Sequence, residues 1–142
     1  MLSFYKYFRL SSSERKIFYL CVSNLFKAWY KTRFQAPKKY LKKVGLEGTI
    51  AKNPISEDFE YIFSVKRGIA RAVKVTPFKT KCLQQAIAGK IILNKNSIPC
   101  TIYFGLSKKE NKLKAHAWLK AGEVFVTGQK GHKDFTVVST FG

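Results

Sequence analysis

The sequence predicts an α+β fold in which helices come first and an antiparallel sheet follows. Three observations predict it. Up to about residue 96, apolar residues recur at three- and four-residue steps, the period of amphipathic helices. From Cys100 onward they alternate with polar residues, the period of half-buried strands. The breakers Thr76-Pro77 and NKNSIP (94–99) set off the last helical segment, and the second marks the change of period. A length of 142 residues with 46% hydrophobic and 15% aromatic content suits one domain. Residues 1–75 read as its helical part and residues 76–142 as the part that carries the sheet, with no repeat, low-complexity tract or linker.

The elements follow in order. SSSERKIFYLCVSNLFKAWYKTRF (11–34) opens on Ser11 with Glu14 three residues on, the spacing of a capping box. Phe18, Cys21, Val22, Leu25, Phe26 and Trp29 then mark one buried helical face. Pro37 and the lysines around it read as the close of that segment, and Gly45 and Gly48 as a loop. Pro54 with Ser56 signals a second helix start, whose stripe of Phe59, Ile62, Phe63, Val65, Ile69 and Val73 is interrupted at Gly68. KCLQQAIAGKIILNKN (81–96) is the third helix, with Leu83, Ala86, Ile87 and Ile91 as its stripe. In the first strand Cys100, Ile102, Phe104 and Leu106 alternate with Thr101, Tyr103 and Gly105. LKAHAWLK (113–120), EVFVT (123–127) and FTVVSTF (135–141) complete the meander. Gly105 and Gly122 read as turn or strand-end punctuation.

Three cysteines at wide spacings, Cys21, Cys82 and Cys100, make no disulfide framework and suit a reducing cytoplasm. Lys6 and Arg9 precede the apolar patch 17–26, but that patch is ten residues long where a spanning helix needs about 20, and no small-residue cleavage site follows. A soluble, cytoplasmic protein is expected. The net charge is +19, and residues 1–46 carry eleven Lys/Arg against Glu14 alone. Such a field favours polyanionic partners without choosing among them. Aromatics such as Tyr5, Tyr7, Trp29 and Tyr30 lie on or beside the helical stripe, which points away from a nucleic-acid stacking platform. Cys82, Cys100, His116 and His132 lack the short paired spacings of a zinc site, so no metal or other cofactor is expected. Cys21 and Cys100 read as core, and His132 in GQKGHKD (128–134) as a solvated turn residue.

Two residues remain that carry chemistry. Cys82 opens its helix just after Thr80, a plausible N-cap, with Lys79 and Lys81 beside it. A helix N-terminus favours thiolate over thiol, and its free N–H groups can receive an oxyanion. Position alone leaves two readings open: nucleophile, or small buried hydrophobe. His116 shares its strand face with Lys114, Trp118 and Lys120, off the aliphatic face of Leu113, Ala115, Ala117 and Leu119. An imidazole there can take the thiol proton and return it to a leaving amine, or it can simply pack on Trp118.

The combined pattern TPFKTKCLQQAIAGKIILNKNSIPCTIYFGLSK, then KAHAWLKAGEVFVTG and FTVVSTFG, resembles the transglutaminase-like leader peptidases of lasso peptide biosynthesis. The resemblance covers about residues 76–142; the N-terminal half agrees only in length and helical character. It implies a papain-like α+β fold, Cys82 as nucleophile and His116 as general base and acid. It also implies a lasso precursor peptide as substrate, a leader-binding recognition-element protein as partner and an ATP-dependent macrolactam synthetase acting on the freed core. Many relatives carry an Asp twelve positions after the histidine, where this chain has Gly128. If Ala121-Gly122 is a two-residue turn, Thr127 faces His116; a three-residue loop puts Gly128 there, offering backbone only. Thr127, Gln129 and Asp134 are therefore the candidate side chains to orient the imidazole. The alternatives are an acyl transferase on the same fold, a degenerate peptidase, and a non-catalytic basic module binding nucleic acid or peptide.

Overall fold

A computed structural model describes residues 8–142; Lys6, Tyr5 and Tyr7 lie outside the described residues. Helix α1 spans Ser12–Phe34. Its start is a capping box: Ser11 Oγ accepts from the Glu14 N–H at 3.3 Å and Glu14 Oε2 accepts from the Ser11 N–H at 3.0 Å. The face it buries is Phe18, Cys21, Asn24, Leu25 and Ala28. That face is rotated from the expected one, since Phe26 is exposed and Val22 and Trp29 are only half-buried.

Pro37 does not merely close α1; it opens α2, Pro37–Val44, at the first helical position where its missing N–H costs nothing. Tyr40 and Leu41 bury that short helix. A 3₁₀ turn, Ser56–Asp58, leads into α3, Phe59–Val75, and the Asp58 carboxylate accepts from the Ile55 N–H. Gly68 does not break α3. It is the place where α1 comes closest, because a Cβ there would lie 2.9 Å from both Cys21 Sγ and Ile17 Cγ2. Helix α4 is Cys82–Lys95.

The sheet holds four antiparallel strands in the order β3-β2-β1-β4. β1 is Thr101–Lys109, β2 Lys112–Ala121, β3 Val124–Thr127 and β4 Thr136–Phe141. β1 and β2 meet through Glu110-Asn111, both at positive φ as a primed hairpin turn demands. The turn between β2 and β3 is Gly122-Glu123 rather than Ala121-Gly122, since Ala121 pairs with Val124. A bulge then shifts the ladder so that Leu119 faces Thr127.

The helices cover one sheet face, where Ile102, Leu119, Ala121, Val126 and Phe141 join the helical core. Gly89 lets α4 lie close on this face, for a Cβ there would sit 2.6 Å from Leu119 Cδ2. Beneath it Lys90 is buried, its ammonium donating to the Cys100 carbonyl at 2.6 Å. Burial pushes the Lys90 pKa down and the Cys100 thiol up to about 11. Cys21 and Cys100 are both core residues. Gly105 sits inside β1 rather than at its end, because Phe135 and Trp118 leave no room there for a Cβ.

Candidate active site

Cys82 is the first residue of α4 and is half-buried. The cap is Lys81, not Thr80: its N–H donates to Gln84 Oε1 at 2.8 Å. Thr80 holds the turn from outside, its carbonyl and hydroxyl accepting from Gln85 Nε2. Gln84 in turn donates to Thr32 Oγ1 at 2.9 Å, tying this turn to α1. The N–H groups at Cys82 and Leu83 belong to the first turn, which a helix leaves without intrahelical acceptors. Positive partial charge collects there.

His116 lies in β2 opposite Gly105 and is half-buried. Its ring contacts Trp118 (centroids 5.7 Å apart) and Phe135 (5.2 Å). Nε2 lies 2.7 Å from the Gly128 carbonyl oxygen. A carbonyl only accepts, so Nε2 carries the proton and, in the neutral ring, Nδ1 is the basic nitrogen. Trp118 stacks on Tyr103 and meets His132, whose ring also packs on Phe125 at 4.5 Å. His132 is thus half-buried in an aromatic cluster, not a solvated turn residue.

None of the three side chains weighed for orienting the imidazole bonds to it. Thr127 pairs with Leu119, and its buried Oγ1 has no partner. The Gln129 backbone carbonyl accepts from His132 Nδ1 at 2.6 Å, and Asp134 faces Lys109 at 3.7 Å. The backbone of Gly128 does the orienting instead. No side chain fits at this position as the chain is folded: φ is +73°, and a Cβ would lie 2.5 Å from the Ala117 carbonyl and 2.7 Å from Trp118 Cβ. The sequence signal for this was the glycine itself, but the bulge that aims its carbonyl leaves no trace in the residue pattern.

A transglutaminase-like superfamily domain profile matches residues 33–140. No curated protein and no solved structure matches the chain. The chain belongs to the transglutaminase-like superfamily. That superfamily generally carries cysteine-protease or transglutaminase activity. The matched region begins at Arg33, so most of α1 lies outside it.

In this transglutaminase-like domain Cys82 and His116 are not brought into contact. α4 packs on the Leu119 face of the sheet, whereas His116 and Trp118 project from the other, and no hydrogen bond joins Cys82 to His116. β3 pairs with β2 only over Leu119–Ala121, so at the level of His116 strand β2 is itself the edge. There the Thr127–Gln129 backbone fills the gap. A cavity of about 210 Å³ lies between it, Gln85 of α4, and Lys66, Ile69 and Ala70 of α3. Gly128 therefore touches both halves, holding His116 through its carbonyl and lining a cavity with the second turn of α4. Among the described residues, no three His, Cys, Asp or Glu side chains gather as a metal site, and no helix is long and apolar enough to cross a membrane.

Proposed function

We propose that this chain is a cysteine peptidase that removes the leader from a ribosomally made lasso precursor. The observation that carries the reading is the Nε2–Gly128 bond, which leaves Nδ1 of His116 as the nitrogen able to accept a proton. Cys82 gives its proton to Nδ1 and attacks the scissile carbonyl, and the oxyanion is received by N–H groups of the first turn of α4. The proton passes from His116 to the departing amine of the core peptide. The Cys82 thioester is then hydrolysed by water that His116 deprotonates. Because α4 and the His116 side chain lie on opposite faces of the sheet, this mechanism requires bound substrate to bring sulfur and imidazole together round the open edge of β2 at His116. A leader-binding recognition-element protein delivers the precursor, and an ATP-dependent macrolactam synthetase consumes the freed core.

The test mixes the chain with a precursor peptide and its recognition partner and follows products by mass. Cys82→Ala and His116→Ala are each expected to lower cleavage by about 10³-fold or more. Cleavage that survives Cys82→Ala would end the proposal. Addition of water across the cut bond marks a peptidase, whereas a product joined to an added amine marks the acyl-transfer alternative on the same thioester.

A further inference from the structure

The side of α1 turned away from the core is aromatic where a solvated helix face would be polar. Phe26, Tyr30 and Phe34 stand at four-residue steps, 49%, 53% and 72% exposed. Their rings form a ladder, with centroids 6.3 Å apart from Phe26 to Tyr30 and 4.9 Å from Tyr30 to Phe34. Over those residues a helix rises about 12 Å, two turns of a partner helix laid alongside. The ladder does not end on α1. Phe26 meets Phe78 at 5.7 Å, and Phe78 lies four residues before Cys82 in the chain. Solvent-exposed aromatics in a contiguous row are a feature of docking surfaces rather than of solvated faces.

The flanks of the ladder state the charge of its occupant. Lys27, Lys31 and Arg33 are exposed beside it, and Lys79 and Lys81 lie beside Phe78. From residue 8 to residue 46 the single acidic side chain is Glu14, which is already bonded to Arg71 and to the Ser11 backbone. A cationic partner would meet only like charge here.

We infer that the Phe26–Tyr30–Phe34 ladder docks an acidic, amphipathic helical segment of a peptide, its apolar side on the rings and its carboxylates facing the flanking lysines and arginine. The segment lies on the substrate side of Cys82, a placement that rests on the peptidase reading; the docking itself does not. It leaves the rest of the peptide chain to run past Phe78 toward the nucleophile.

The probe is a fluorescein-labelled synthetic peptide of Glu and Leu with the leucines on one helical face, paired with a scrambled peptide of the same composition. Anisotropy is read against the wild-type chain and against a Phe26→Ala/Tyr30→Ala/Phe34→Ala variant whose melting midpoint shows that it folds. Phe34→Ala alone, at the most exposed rung, serves as the second variant. The amphipathic probe is expected to bind wild type at least tenfold more tightly than the scrambled one, the triple variant to lose at least tenfold, and Phe34→Ala to lose two- to fivefold. Equal binding of the two probes, or unchanged binding by the triple variant, would overturn the inference. So would adhesion to phosphatidylglycerol vesicles or self-association that depends on the same three rings in place of peptide discrimination. Failure of the peptidase reading shows elsewhere, as cleavage indifferent to Cys82→Ala, and leaves probe binding unchanged.

Discussion

The carbonyl of Gly128 takes the imidazole N–H of His116, a place that a carboxylate side chain fills in a triad. A neutral carbonyl fixes the tautomer and the ring's orientation but stabilises the imidazolium less than an ion would. Placing an acid here is nonetheless expected to fail. In Gly128→Asp the new Cβ meets the Ala117 carbonyl at 2.5 Å, and the residue must hold a φ of +73°. The loop has to shift, and the carbonyl that holds His116 shifts with it. Gly128→Asp should lose about 2 kcal/mol of stability and at least tenfold of any His116-dependent activity, measured by urea unfolding and by the cleavage assay. A stable variant with raised activity would show instead that the strand end can adapt to a carboxylate. Thr127, one residue away, is the counter-case: its hydroxyl is buried without a partner, so its polarity serves neither the imidazole nor the core.

At the level of elements, the site depends on two close approaches that glycines permit, one between helices and one between helix and sheet. Gly68 sits where α3 meets α1, and Gly89 where α4 meets β2. On helix propensity alone, Gly68→Ala would stabilise by about 1 kcal/mol. Packing reverses the sign. The added methyl would stand 2.9 Å from Cys21 Sγ and from Ile17 Cγ2, both on α1. Overpacking of this kind costs about 1–3 kcal/mol, so after the propensity gain a net loss of up to about 2 kcal/mol is expected on urea unfolding. Adding Cys21→Ala to the same chain should recover part of that loss, because it empties one of the two colliding positions. If Gly68→Ala is stabilising, α1 has room to move and the close approach is not a constraint. The α1 placement matters beyond packing, since Thr32 on α1 holds Gln84 and thereby the turn that begins at Cys82.

Over the whole molecule, a formal charge of +19 on 142 residues repels itself. Among the described residues few acids offset it, and Glu47, paired with both Lys38 and Lys42, shows how sparingly they are spread. Raising ionic strength from about 0.01 M to 0.3 M shortens the screening length from roughly 30 Å to under 10 Å. The melting midpoint should therefore rise by about 4 °C over that range, read by differential scanning fluorimetry. A midpoint that does not move would mean that the lysines are spaced widely enough to ignore one another. What the sequence determined by itself about this protein is what depends on neighbours along the chain: the helices-then-strands order, the capping box at Ser11, Cys82 at a helix start, and His116 off the aliphatic face of its strand. Periodicity and capping are local, so the residues display them directly. Only the tertiary structure decided which face of α1 is buried and that a bulge turns the Gly128 carbonyl onto His116. Each of those outcomes is set by elements packing across the chain, where a shift of one residue in register or a rotation of one helix changes which atoms meet, and no local pattern records it.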